Sequence, residues 1–331
     1  MLDGVLNIYK EKGYTSHDVV AKMRGILRQK KIGHTGTLDP DAEGVLPVCL
    51  GQGTRLCDML TDHSKVYRAV LLLGIDTDTQ DISGQILERR PVEENPEQVL
   101  EVIKSFVGPY DQIPPMYSAL KVDGKRLYEL ARAGKTVERQ ARPVVIHDIT
   151  VESIELPRVT MTVSCSKGTY IRTLCHDIGE KLGCGGCMEA LMRTRVGRFE
   201  LKDSISLSEL EKIRDEGRLE EYLVSVEEMF LDQPKANALS EADSLVHNGN
   251  PVKPELVSVE WDQAVANGGD ESGSKTGVES ETTMASAADQ KTYVDQQLFR
   301  MYDSKDQFLG VYRYEKDRKW LKPWKMFLGG N

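Results

Sequence analysis

The stretch Gly33-His34-Thr35-Gly36-Thr37-Leu38-Asp39-Pro40 leads, a few residues on, into Gly44-Val45-Leu46-Pro47-Val48-Cys49-Leu50-Gly51. A polar, glycine-rich opening followed by an apolar run has the shape of a functional loop feeding a buried strand. Glycines at 33 and 36 permit close backbone approach to a ligand, and Pro40 fixes the chain just after Asp39. A carboxylate held this way beside His34 can act as nucleophile or general base. The same residues also suit a plain turn in which Asp39-Pro40 only shapes the backbone. The surrounding sequence has to choose between the two.

Outward from this loop, Val66 to Gly74, Pro143 to Ile154 and Val159 to Cys165 read as strands rich in branched residues. Asp18 to Gln29 carries Val19, Val20, Met23, Ile26 and Leu27 at helical spacing, with Thr15 or Ser16 as N-cap. Glu97 to Phe106, Leu127 to Ala133, Tyr170 to Leu182 and Leu207 to Glu216 also read as helices. Strands and helices mix without a βαβ rhythm, so the expected class is α+β around a mixed, mainly antiparallel sheet. Asp232-Gln233-Pro234 marks a break, dividing a first domain, residues 1–230, from a second, 231–331. Within the second, residues 262–291 turn to Gly, Ser, Thr, Ala and acid and are expected to be disordered. Leu298 to Tyr302 and Phe308 to Tyr314 then alternate as a hairpin would, joined by Asp303-Ser304-Lys305-Asp306.

The chain has 331 residues and a formal charge of -9, which by itself argues against a polyanionic partner. Charge mapped locally reverses that. Lys10, Lys12, Lys22, Arg24, Arg28, Lys30 and Lys31 form one basic cluster, and Lys121, Lys125, Arg126, Arg132, Lys135, Arg139 and Arg142 form another. Affinity for RNA follows the field within a Debye length of ~8 Å, so an RNA-binding face fits an acidic protein. Each cluster taken alone also fits a solvated helix face. No run of ~18 apolar residues and no signal-like start is present, so no membrane span and a cytoplasmic location are expected. The scattered cysteines at 49, 57, 165, 175, 184 and 187 read as reduced thiols.

Six stretches, in order, carry a family resemblance: Lys10 to Ser16 (Lys-Glu-Lys-Gly-Tyr-Thr-Ser), the Gly33 to Pro40 loop continuing to Leu46-Pro47, Lys65-Val66-Tyr67-Arg68, Pro114 to Lys121 (Pro-Pro-Met-Tyr-Ser-Ala-Leu-Lys), Cys165 to Arg172 (Cys-Ser-Lys-Gly-Thr-Tyr-Ile-Arg), and Leu191 to Gly197 (Leu-Met-Arg-Thr-Arg-Val-Gly). Between about Gly4 and Gly197 the chain resembles the TruB family of tRNA pseudouridine synthases. The resemblance implies that Asp39 is the catalytic aspartate, Tyr67 a tyrosine stacked on the target base that helps remove its C5 proton, and Arg172 the arginine paired with Asp39. It also implies that His34, Tyr170 and Leu191 form the base pocket, and that Lys10 and Lys121 contact phosphate. The implied substrate is the T-arm of tRNA at uridine 55, with no cofactor and no metal. A PUA-like RNA-binding domain is implied for residues 231–331. The first stretch departs from the family in having Glu11 where proline usually follows the lysine. A monomer is expected.

Other readings compete. Cys175, His176, Cys184 and Cys187 imitate a zinc set, but adjacent Cys175 and His176 point apart on a helix. A non-catalytic tRNA-binding or folding-assistance protein would use the same basic surface, yet would have no chemical reason to keep Asp39, Tyr67 and Arg172 together. A metal-dependent hydrolase built on Asp39 and Asp41 would need further carboxylates at motif-like spacing.

Overall fold

The structure, a computed structural model, describes residues 1–122, 124–261 and 293–328. The segment expected to be disordered, about 262–291, lies outside the described residues. Residues 5–223 and 224–331 form two compact units, residues 2–4 grouping with the second. The division falls earlier than the break expected at 231. Phe230 explains part of this, since its ring packs edge-on against Trp324 and close to Phe327 of the second unit.

The first unit is built on one sheet, in the order Gly4–Lys10, Glu43–Leu50, Gly186–Val196, Lys65–Leu73, Arg158–Cys165, Arg142–Glu155 and Gly108–Gln112. Glu43–Leu50 runs parallel to Gly186–Val196. The pairings from Gly186–Val196 out to Gly108–Gln112 are antiparallel. The expected α+β class and mainly antiparallel sheet are what the chain forms. Alternation explains the inward face: along Lys65–Leu73, Tyr67, Ala69, Leu71 and Leu73 are buried together with Val159, Met161 and Val163 of the next strand.

Helix Ser16–Leu27 begins at Thr15, whose hydroxyl caps the Asp18 amide while Asp18 answers on the Thr15 amide. Val19, Val20, Met23 and Ile26 form its buried stripe. Helix Ile171–Leu182 lies against the central strand Gly186–Val196, adding Ile171, Leu174, Cys175 and Ile178 to the core. Its close seating requires Gly179, where a β-carbon would come within 2.2 Å of the Gly186 nitrogen. This contact fixes the helix, and with it the position of Arg172 in the first turn.

The second unit holds a five-stranded sheet in the order Val257–Glu260, Lys235–Ala238, Leu298–Tyr302, Phe308–Glu315 and Trp320–Met326. It is the β-rich second part that was expected, and the hairpin Leu298–Tyr302 to Phe308–Glu315 has antiparallel register. Phe299, Met301, Leu309 and Leu321 fill its core beneath the short helix Asp243–His247, and the buried Tyr312 hydroxyl donates toward the Val246 and Asn250 carbonyls.

Candidate active site

Strand Ile32–His34 pairs antiparallel with the far end of Glu43–Leu50, Gly33 opposite Cys49 and His34 opposite Val48. Residues 35–42 therefore form the closed end of a hairpin. Three residues of the Lys10 to Ser16 stretch tie it down. The Lys10 ammonium donates to the carbonyls of Glu11, Pro40 and Ala42, the Gly13 amide donates to the Pro40 carbonyl at 2.9 Å, and the Ser16 hydroxyl accepts the Leu38 amide at 3.0 Å. The first motif thus holds the second in shape.

This corrects the expectation for Lys10. Its residue is 0% exposed, so it cannot reach a phosphate, and its donors are spent on the loop. Burial pulls its ammonium down to about 8, partly offset by Asp39 nearby. Glu11, where the family usually has proline, contributes only its carbonyl to this clamp.

Asp39 at the tip meets Arg172 side-on, with Nε to Oδ2 at 3.0 Å and Nη2 to Oδ1 at 3.3 Å. The planar guanidinium matches a carboxylate in this way and stays charged. Its remaining donors reach the Tyr117 carbonyl at 2.7 Å, the Thr79 carbonyl at 3.1 Å and Asp81 at 3.5 Å. Two motifs thus converge on one side chain, since Tyr117 lies in the Pro114 to Lys121 stretch. Burial pushes the Asp39 carboxyl above the usual carboxylate range, Arg172 draws it back, and Asp81 pushes it up again. The Arg172 side chain is 6% exposed and that of Asp39 40%. The arginine is fixed in protein, while the carboxylate still faces an approaching ligand.

Tyr67 stands on strand Lys65–Leu73 directly opposite Arg193 of strand Gly186–Val196. Burial raises its hydroxyl pKa and Arg193 opposes that rise. Tyr170 immediately precedes helix Ile171–Leu182, its backbone held at both ends by the buried Gln112, whose Oε1 accepts the Tyr170 amide and whose Nε2 donates to the Tyr170 carbonyl. The helix begins at Ile171, so Tyr170 and Arg172 do not share a strand face. Leu191 packs on the core cluster that contains Tyr67 and Leu38.

His34 is half-buried with its ring edge-on to His17 at 5.1 Å. Burial lowers its pKa, which favours the neutral ring at pH 7. Nδ1 accepts the Gly36 amide at 3.3 Å, placing the proton on Nε2. Lys121 is exposed on a small hairpin, Lys121–Val122 with Lys125–Arg126. Beside it Tyr128 carries Arg126 and Arg132 at 5.7 and 5.5 Å from its ring centre.

Asp81 and Arg193 escape a reading of the sequence. Asp81 is one of several acids in a polar turn, and only the fold shows that it shares Arg172. Arg193 lies inside the sixth motif, which does carry a signal for it. The cysteines of the imitated zinc set do not converge. The metal-type donors that gather nearby are Asp76, His176 and Glu180, and Arg90 already pairs with Asp76 and Glu180.

Residues 24–171 match the TruB family pseudouridylate synthase N-terminal domain, and residues 172–231 match the tRNA pseudouridylate synthase B C-terminal domain. The chain is 49% identical over 335 residues to a Lachnoclostridium phytofermentans protein named tRNA pseudouridine synthase B, covering 99% of this chain and 100% of that one. It is 52% identical over 227 residues to the Geobacter sulfurreducens protein of the same name, covering 68% and 74%. Among solved structures, a chain of a Cbf5-Nop10-Gar1 complex superposes with a TM-score of 0.68 at 25% identity, covering 98% of this chain and 85% of that chain. A chain of an H/ACA RNP bound to a substrate RNA shares the fold, with a TM-score of 0.67. Motif order, the clamped aspartate loop and a relative matched along its whole length lead to one assignment: this chain belongs to the TruB family of pseudouridylate synthases.

Proposed function

We propose that this enzyme isomerises the uridine at position 55, in the T-arm of tRNA, to pseudouridine, with Asp39 as its catalytic carboxylate. The reaction class, uridine to pseudouridine in tRNA, follows from the family. The observation that supports Asp39 is its side-on ion pair with Arg172 at the tip of a loop clamped by Lys10, Gly13 and Ser16. A carboxylate pushed toward protonation by burial needs such a partner to remain anionic at neutral pH.

The rearrangement balances within the substrate. The N1–C1′ bond breaks, the base turns, C5 bonds to C1′, the C5 proton leaves and N1 gains a proton. Asp39 serves the bond-breaking step, and Tyr67 stacks on the base and takes the C5 proton. A base inside a stack is reached only by extrusion, which costs a few kcal/mol of unstacking. His34, Tyr170 and Leu191 are the residues we assign to receive it. Lys121, with Arg126 and Arg132 around Tyr128, offers exposed positive charge to the phosphate backbone. We place the protein in the cytoplasm as a monomer acting on tRNA. Among the described residues, no helix is long and apolar enough to cross a membrane. A tRNA-binding protein without catalysis would gain nothing from a carboxylate held against its own desolvation.

The test is incubation with an unmodified tRNA transcript, followed by mapping of pseudouridine in the T-arm. Product at position 55 with wild type and none with Asp39→Asn is the expected result. Product at another position would move the substrate assignment, and undiminished product with Asp39→Asn would remove Asp39 from the chemistry.

A further inference from the structure

Arg193 is among the largest fully buried side chains of the protein, 1% exposed. Nε donates to the Val45 carbonyl at 2.7 Å. Nη1 lies against the loop, 3.8 Å from where a Gly36 β-carbon would stand. Nη2 is buried and has no hydrogen-bond partner. Among the described residues no carboxylate pairs with this guanidinium. Arg172, by contrast, has two carboxylates and two carbonyls. A buried cation with an unmet donor weakens the fold unless a partner arrives, so its place beside the catalytic loop calls for a functional account.

The register points to the partner. Arg193 and Tyr67 are direct cross-strand neighbours in an antiparallel pair, so their side chains leave the same face of the sheet a few ångströms apart. Gly44 is the parallel partner of Arg193 on the other side. It has φ +105°, and a β-carbon there would stand 2.2 Å from the Arg193 carbonyl. The strand carrying Arg193 is therefore pressed against the strand that leaves the Asp39 loop.

We propose that Arg193 is a positioning residue for Tyr67, holding the phenol oxygen over the base and favouring the phenolate form that can take the C5 proton. In that step the C5–H bond breaks, its electron pair restores the C5–C6 double bond of pseudouridine, and the proton passes to the phenolate oxygen, which becomes the neutral phenol. The guanidinium stays protonated throughout. This role rests on Tyr67 acting as the base, as proposed above.

The experiment measures single-turnover rates on a tRNA whose target uridine carries hydrogen or deuterium at C5, with tRNA affinity measured in parallel. Positioned general-base assistance is worth roughly 10²–10⁴-fold, so Arg193→Gln, shorter, polar and neutral, should be slowed by about 10² with affinity within about twofold. It should also show a larger C5 isotope effect than wild type, because proton removal becomes limiting. Arg193→Lys keeps the charge without the fork and should be slowed less, with the same increase; it stands in if the glutamine variant does not fold. A rate near wild type, a slowed rate with unchanged isotope effect, or an affinity loss matching the rate loss would each overturn the proposal, the last indicating a phosphate contact. Tyr67→Phe is assayed separately: full activity there would refute Tyr67 as the base, independently of Arg193.

Discussion

Replacing Arg172 with lysine tests the centre of the site, because it keeps the charge and removes the fork. Arg172 makes five polar contacts: both Asp39 oxygens at 3.0 and 3.3 Å, the Tyr117 and Thr79 carbonyls at 2.7 and 3.1 Å, and Asp81 at 3.5 Å. A lysine ammonium is a point donor and cannot span them. Hydrogen bonds to charged groups are worth about 1.5–3 kcal/mol each, so losing the side-on pairing withdraws roughly that much from the ionised form of Asp39. The sign follows directly. Burial already raises the Asp39 pKa and Arg172 opposes it, so weakening Arg172 raises it further and Asp39 protonates at higher pH. With Asp39 proposed to act as the anion, the acid limb of the kcat profile should move to higher pH, and kcat should fall most at the acid end of the range. KM for tRNA should change little, because the Arg172 side chain is only 6% exposed. Arg172→Met removes the charge altogether. Truncating one partner of a buried pair costs about 3–5 kcal/mol, and solvent access to Asp39 places this case near the lower end. Kinetics on a tRNA transcript between pH 5 and 8 decide the matter: a lysine variant with wild-type kcat and an unmoved acid limb would refute the reasoning.

Lys10→Met should lower kcat at least about tenfold and cost about 1–3 kcal/mol of stability by leaving loop carbonyls unpaired, with an unchanged salt dependence of tRNA binding; a reduced salt slope would instead make Lys10 a phosphate contact. Lys121→Ala should weaken tRNA binding and reduce the salt slope by about one, leaving kcat intact at saturation, which filter binding at several salt concentrations would reveal. Gly44→Ala should destabilise the fold by about 3 kcal/mol or more, since strain in the left-handed region adds to the clash with the Arg193 carbonyl; a melting temperature close to wild type would contradict the geometry. Asp39→Asn should abolish activity while melting no lower than wild type at pH 7, because it removes a carboxylate whose ionisation burial opposes. That margin should shrink as the pH falls and wild-type Asp39 takes up its proton.

Much of this was legible before any coordinates. Helix Ser16–Leu27 declared itself through Thr15, Asp18 and its apolar stripe, and Lys65–Leu73 through its branched residues, because capping and periodicity are local. Asp39, Tyr67 and Arg172 could be nominated by motif, and they lie on a hairpin tip, a strand and a helix start respectively. What could not be read depends on contacts between distant segments. A lysine in a basic cluster looks like a phosphate ligand, and the meeting of Lys10 with the carbonyls of Pro40 and Ala42 is a property of the folded loop. Asp81 and Arg193 were hidden for the same reason. Each becomes notable only through its neighbour, Arg172 in one case and Tyr67 in the other.

The two buried arginines divide a problem that one could not solve. A carboxylate used in catalysis must be dry enough for its charge to act strongly, yet drying it favours the protonated form. Arg172 resolves this for Asp39 by a permanent, two-point counter-charge that is present before substrate arrives. A tyrosine that takes a proton must do so as the phenolate, which burial disfavours and a neighbouring cation favours. A guanidinium already consumed by a carboxylate would be too well satisfied to respond. Arg193, with one donor on a backbone carbonyl and another left unmet, has the unspent capacity that such a step demands. A carboxylate partner for one arginine and none for the other therefore suit the two anions they face, a carboxylate in one case and a phenolate in the other.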